Sequence, residues 1–205
     1  MSQITLSLNM SPEHLRDLET IDALQNVLIE DAAFKTGSIS LTAMVYLRQL
    51  CEVYQPLTVV EVGTFIGKST YTILNEPSVQ HVYTCDKDND CLRDTARLTC
   101  HPSMTSTEML GKLVQAGVYA DMFFFDGRLS PVDVALILRL SKWNTLYVFD
   151  DYHENPPGEQ FQYGKGVFNV SLIEPFLKAY RLIEPPVGDS ECFTTIAVLL
   201  PKELL

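Results

Sequence analysis

The stretch Leu57–Thr70, LTVVEVGTFIGKST, constrains the fold of this chain more than any other. Leu57, Val59, Val60 and Val62 make a short apolar, β-branched run, the pattern of a strand buried on both faces. Gly63 and Gly67 then bracket a turn, and a helix starts near Ser69. Strand, glycine turn and helix together form a general nucleotide-binding device, because backbone without side chains lets a ligand come close. Spacing excludes two common versions. A Walker loop needs a glycine where Val62 stands, and the dinucleotide fingerprint G-x-G-x-x-G fails because Thr64, Phe65 and Ile66 separate the two glycines. Glu61, just ahead of the turn, suits a ligand carrying a cation rather than a pyrophosphate.

Other apolar runs repeat the theme of a strand ending in an acid: Val79–Asp86, Tyr119–Asp126 (YADMFFFD) and Thr145–Asp150 (TLYVFD). Helices are predicted over Ser69–Leu74, Asp90–Cys100, Pro131–Leu140 and from Gly164 to about Tyr180, and a last strand pair over Arg181–Pro185 and Cys192–Leu200. The alternation predicts an α/β fold, a doubly wound sheet, mostly parallel and flanked by helices. Ahead of it, Ser11–Ile29 carries Leu15, Leu18, Ile21, Leu24, Val27 and Leu28 at helical spacing after a Ser11-Pro12-Glu13 start signal. Residues 1–40 are therefore read as an N-terminal helical extension and 41–205 as the main domain, which opens on a helix over Leu41–Tyr54.

Charge narrows the partners. With 26 acidic residues against 15 basic ones and a net charge of -11, the chain lacks the cations that phosphate contacts need, so no nucleic-acid partner is expected. No run reaches the roughly 20 apolar residues of a membrane span, and MSQITLSLNM lacks the regions of a signal peptide, so no membrane partner and a cytoplasmic location are expected. Cys51, Cys85, Cys91, Cys100 and Cys192 form no C-x-x-C pair and are expected as reduced thiols.

Glu61–Ser69, EVGTFIGKS, resembles the first motif of class I S-adenosylmethionine-dependent methyltransferases. It is most similar to the E-V-G-T-x-x-G-x-S form of metal-dependent small-molecule O-methyltransferases of the macrocin and catechol type. The resemblance extends over roughly Leu41–Leu200 and implies a Rossmann-like doubly wound sheet of seven strands, mostly parallel with an antiparallel last strand. It implies S-adenosylmethionine as cofactor, held by Glu61, Gly63, Thr64, Phe65, Gly67 and Ser69. Asp86, some twenty positions beyond the glycines, stands where a carboxylate accepts hydrogen bonds from ribose hydroxyls. Met104–Leu110 resembles the family's G-D-S-x-E-x-L segment, which puts Ser106 near the adenine. Asp126 followed by Gly127 matches the family's F-x-D-G, which implies a metal-binding aspartate that borders the cofactor and takes part in catalysis. Gly164-Lys165-Gly166-Val167 resembles the G-V-x-x-A-V segment after the acidic pair.

Asp126, Asp150 and Asp151 converge if their strands are neighbours, and three carboxylates in one cleft predict a hard cation, Mg²⁺ with Ca²⁺ or Mn²⁺ as alternatives. In the resembled family the metal presents substrate oxygens and lowers the pKa of a bound hydroxyl. Leu129 stands where the catechol branch has its lysine base, and Arg128 stays protonated, which leaves His153 as the candidate general base. The expected activity is O-methylation of a small hydroxylated acceptor such as a sugar, phenol or natural product. A methyltransferase-fold protein that binds without transfer stays open beside it; a nicotinamide-dependent dehydrogenase lacks the glycine spacing. The extra helix offers a homodimer contact or a lid, and the loop Glu154–Tyr163 suits a substrate wall.

Overall fold

The computed structural model describes residues 10–31, 38–87, 92–153, 164–185 and 194–204, with the backbone alone for 26–31. Two helices, α1 (Pro12–Asp31) and α2 (Leu41–Tyr54), lead into β1 (Thr58–Val62), α3 (Lys68–Leu74), β2 (His81–Asp86) and β3 (Leu98–Pro102). There follow α4 (Ser106–Gln115), β4 (Ala120–Phe125), α5 (Pro131–Leu140), β5 (Ser141–Phe149), α6 (Lys165–Ile173), β6 (Tyr180–Ile183) and β7 (Ala197–Pro201). The strands pair in the order β3-β2-β1-β4-β5-β7-β6. Among the described strands only β7 is reversed, antiparallel to both β5 and β6. The seven-stranded Rossmann-like sheet with an antiparallel last strand is thus the fold.

Side-chain alternation divides the core into two layers. Val59, Met122, Phe124 and Val148 face Leu18, Met44, Leu47 and Ile73 of the first three helices. Val60, Phe123, Phe125, Tyr147 and Phe149 face Met109, Leu113, Ile137 and Val170 of the last three. Both faces of β4 are therefore covered, which is why its sequence is apolar without alternation. Phe123 stacks at 5.6 Å on Phe125 and at 5.7 Å on Tyr147, and each such buried ring contributes about 1.5–3 kcal/mol. The extension is packed into this core: Leu18 is fully buried, and the Lys68 ammonium donates to Asp22 of α1 at 2.6 Å. No helix among the described residues is long and apolar enough to cross a membrane. Cys51, Cys85 and Cys100 are free thiols, while Cys91, Cys192 and the whole loop Glu154–Tyr163 lie outside the described residues.

Two expectations are corrected. Of the stretch predicted as a helix over Asp90–Cys100, the described residues 92–100 form no helix and instead lead into the edge strand β3, in register with β2 from Val82↔Leu98 to Asp86↔Pro102. The outer edge of β2 needs partners for its amides and carbonyls, and that long-range demand outweighs a local helical spacing. The helix predicted to run to about Tyr180 ends at Ile173, because Pro175 has no amide hydrogen to continue the ladder and the chain turns through Glu174–Phe176 into β6.

Candidate functional site

After β1 the chain winds outward to β2 and β3, then crosses back to β4 on the other side of β1. Such a reversal opens a crevice at the carboxyl ends of the two central strands, where open α/β sheets bind ligands. Strand register brings four groups to this edge in a row: Asp86 ending β2, Gly63 after β1, Asp126 after β4 and Asp150 after β5. The condition for Asp126 and Asp150 to meet, that β4 and β5 be neighbours, is satisfied.

The glycine turn is shaped by the protein as much as by any ligand. Gly63 has φ +98, and a Cβ on it would lie 2.8 Å from the Gly127 nitrogen and 3.0 Å from the Asp126 carbonyl carbon. The Gly127 and Asp126 amides both donate to the Val62 carbonyl, at 2.8 and 2.9 Å, so the ends of β1 and β4 are drawn together there. Gly67, at φ +83, leaves space for the Leu92 methyls. Phe65 adopts φ +44, a conformation unfavourable for a bulky residue, and its amide donates to Asp86 Oδ2 at 2.8 Å. Asp86 therefore pins the turn from the neighbouring strand.

Several predicted cofactor residues spend their side chains inside the protein. Glu61 is fully buried, and its two carboxylate oxygens accept from the Ser69 and Thr70 hydroxyls, each at 2.5 Å. The Thr64 and Thr84 hydroxyls bond each other at 2.6 Å. Ser106 donates to Asp133 Oδ2 at 3.1 Å, fastening the start of α4 to α5. What the turn offers a ligand is its backbone, Gly63 to Gly67, together with the Asp86 carboxylate.

Burial pushes the Glu61 carboxyl above its ordinary value, against the opposing hydrogen bonds from Ser69 and Thr70. A raised folded-state pKa means that its contribution to stability is complete below about pH 4.3 and is lost as pH rises through the folded value. The unfolding free energy of the wild type minus that of Glu61→Gln should therefore fall as pH rises above about 4.3, with a slope of at most about 1.4 kcal/mol per pH unit. Urea titrations at each pH read this difference, and a level or rising one would mean that the hydroxyls outweigh burial.

The acidic group is bridged by a lysine. Lys165, at the start of α6, donates to Asp126 Oδ1 at 2.6 Å and lies 3.0 Å from Asp151 Oδ2. Burial pulls its ammonium down, but Asp126 and Asp151 outweigh burial and hold it above the ordinary lysine value. Burial raises the Asp126 carboxyl and Lys165 opposes that rise. Burial likewise raises Asp150, whose Oδ1 accepts the Thr195 hydroxyl at 2.6 Å. Asp151 itself stands at φ +54.

The donor set has the chemistry of a site for Mg²⁺, but its arrangement does not fit one. An ammonium already contacts two of the three carboxylates and the third is turned to Thr195. Two unit charges 4 Å apart repel by about 4 kcal/mol at a protein-like dielectric constant of 20, and a divalent ion would face more. Among the described residues no three His, Cys, Asp or Glu side chains are grouped to hold a metal ion. Asp126, Asp150 and Asp151 thus share the cleft without forming the ligand set that the sequence implied.

Of the base candidates, Leu129 is buried in the core, and the His153 imidazole is exposed and bonds to no described residue. Sequence reasoning missed Lys165 and Asn169, which lie one helical turn apart on α6. The buried Asn169 amide donates to the Gly127 carbonyl at 2.9 Å and accepts the Leu129 amide at 3.0 Å, so α6 holds the loop after β4. The one signal for them was the Gly-Lys-Gly opening of the helix. Arg128 lies over the Phe168 ring, 5.1 Å from its centre.

At the level of sequence the chain matches no protein-family model and no curated protein. Its structure is similar to the O-methyltransferase TomG from Streptomyces achromogenes, involved in tomaymycin synthesis and in complex with SAM, at a TM-score of 0.65 and 17% identity over 94% of this chain and 91% of that one. An O-methyltransferase from Bacillus cereus in complex with SAH is similar at a TM-score of 0.64 and 16% identity, over 94% and 93% of the two chains. Spermidine synthase from Thermotoga maritima is also similar, at a TM-score of 0.54 and 15% identity over 78% of this chain and 59% of that one. The chain has the fold of class I SAM-dependent O-methyltransferases. Identities this low establish the fold, and activity has to be argued from the site.

Proposed function

We propose that the chain transfers the methyl group of S-adenosylmethionine to a hydroxyl oxygen of a small molecule. The observation that carries this reading is the row of strand ends: a backbone turn pinned by Asp86, one strand away from an acidic group with an ammonium in it. Asp86 is the group to receive the ribose hydroxyls, each hydrogen bond to a carboxylate contributing about 1.5–3 kcal/mol. That similar structures spanning more than nine-tenths of this chain hold SAM or SAH supports the cofactor. The acceptor enters beside Asp126 and Lys165, whose polarity suits a hydroxylated molecule, and holding it in line with the methyl group is the chief source of acceleration such a site has to offer.

A second reading, binding of the cofactor without transfer, is favoured by one observation: none of the positions Leu129, His153 and Lys165 presents a side chain placed as a general base. Leu129 is buried, His153 points no hydrogen bond at the acidic group, and Lys165 is held protonated. Calorimetric titration of S-adenosylmethionine into the wild type and Asp86→Ala tests what the readings share. Binding weakened about tenfold to a hundredfold by the substitution is expected from the loss of one or two charged hydrogen bonds. A wild type that takes up no cofactor would sink both readings. Release of S-adenosylhomocysteine in the presence of sugars, phenols or polyhydroxylated natural products then separates transfer from binding.

A further inference from the structure

We infer that the Lys165 ammonium is the resident cation of the acidic cleft, standing where a divalent ion would have to sit between Asp126 and Asp151, so that the cleft takes a hydroxylated ligand without a metal of its own. The inference concerns the same cleft as the proposed transfer reaction, and rests on that reading only for the kind of ligand.

The chain builds this position in. Lys165 is flanked by two glycines packed so closely on the 150–153 backbone that neither tolerates a side chain. A Cβ on Gly164 would overlap the Asp151 carbonyl oxygen, and one on Gly166 would overlap the Asp150 carbonyl oxygen and lie 2.8 Å from the Tyr152 nitrogen. The Gly164 amide donates to the His153 carbonyl at 2.8 Å and the Gly166 amide to the Asp151 carbonyl at 3.2 Å. One turn later Asn169 binds the loop after β4. A lysine bracketed in this way has its Cα fixed on both sides and its amine delivered between Asp126 and Asp151.

A divalent ion would need the oxygens that the ammonium is using, at 2.0–2.6 Å, and Asp150 is committed to Thr195. An ammonium has three N–H donors, of which Asp126 and Asp151 take two among the described residues, and the Lys165 side chain is one-third exposed. No described residue takes the third donor, which is the one a ligand oxygen would accept, so a hydroxyl is held by a fixed ammonium where a metal would otherwise coordinate it.

Titration of Mn²⁺, read by electron paramagnetic resonance with no S-adenosylmethionine present, tests this in the wild type and in Lys165→Gln. The wild type should leave the free-ion signal unchanged. Lys165→Gln should bind Mn²⁺ at least about tenfold more tightly, and adding Asp126→Asn should abolish the gain. Wild-type binding of Mn²⁺ that Asp126→Asn removes overturns the inference, and so does a folded Lys165→Gln with no gain. Should Lys165→Gln not fold, the wild-type titration decides alone, an unchanged signal upholding the inference and binding removed by Asp126→Asn overturning it. With no cofactor in the cell, failure here is distinct from failure of the methyltransferase reading.

Discussion

Gly166→Ala should cost the chain about 2–4 kcal/mol of stability, because the added methyl group has backbone on two sides and nothing flexible to displace. The Asp150 carbonyl oxygen and the Tyr152 nitrogen belong to the segment that carries the acidic pair, and α6 would have to lift away from it. Lifting α6 withdraws Lys165 from Asp126, leaving a buried carboxylate unpaired. Gly111 on α4 is the matched control: a Cβ there meets nothing within 4 Å, and alanine should gain about 0.5–1 kcal/mol by helix propensity alone. Urea unfolding of both variants reads the contrast. A Gly166→Ala loss as small as a few tenths of a kcal/mol would show that the 150–152 backbone yields freely, and the built-in placement of Lys165 would lose its basis.

Glu76→Ala should be more damaging still, at about 3–5 kcal/mol, the usual result of stranding one partner of a buried ion pair. Arg48 on α2 is 1% exposed; its guanidinium is paired with Glu76, lies 3.7 Å from Glu52, and donates from Nε to Asn75 Oδ1 at 3.2 Å. The pair ties α2 to the turn that follows α3. Removing both charges together, as Arg48→Met with Glu76→Leu, should recover most of the loss, since an apolar pair of similar volume avoids the desolvation cost. Guanidinium denaturation of the three variants checks this. If Glu76→Ala cost less than about 1 kcal/mol, Glu52 would be able to take over as partner.

The central strands were legible in the sequence because burial on both faces leaves a dense apolar run, as in Val59, Val60 and Val62 around Glu61 and in Met122–Phe125. β3 was not, because a five-residue edge strand with only Leu98 fully buried carries little pattern of its own and is defined by its partner β2. At the site, spacing located Asp86, Asp126 and Asp150 at strand ends, which needs only the direction of the chain. It did not reveal that Glu61, Thr64, Ser69 and Ser106 turn inward, since a motif does not say whether a hydroxyl meets a ligand or a neighbouring side chain. Lys165 lies 39 residues from Asp126, and only the packing of α6 on the 150–152 backbone joins them.

The place of β7 in the sheet sets a schedule for the chain as it leaves the ribosome. β5 is complete at Phe149, yet its outer neighbour is made only at Ala197–Pro201, and β6, finished at Ile183, pairs among the described residues with β7 alone. At about 5–20 residues per second the edge formed by Tyr147, Val148 and Phe149 stays bare for several seconds, a span in which a nascent chain is exposed to wrong pairing. Thr195, which bonds Asp150 and whose carbonyl accepts the Tyr152 amide at 2.8 Å, arrives in the same late stretch. A ribosome-bound chain therefore has its glycine turn long before the acidic wall beside it, and the cleft becomes competent only when the last strand slides in.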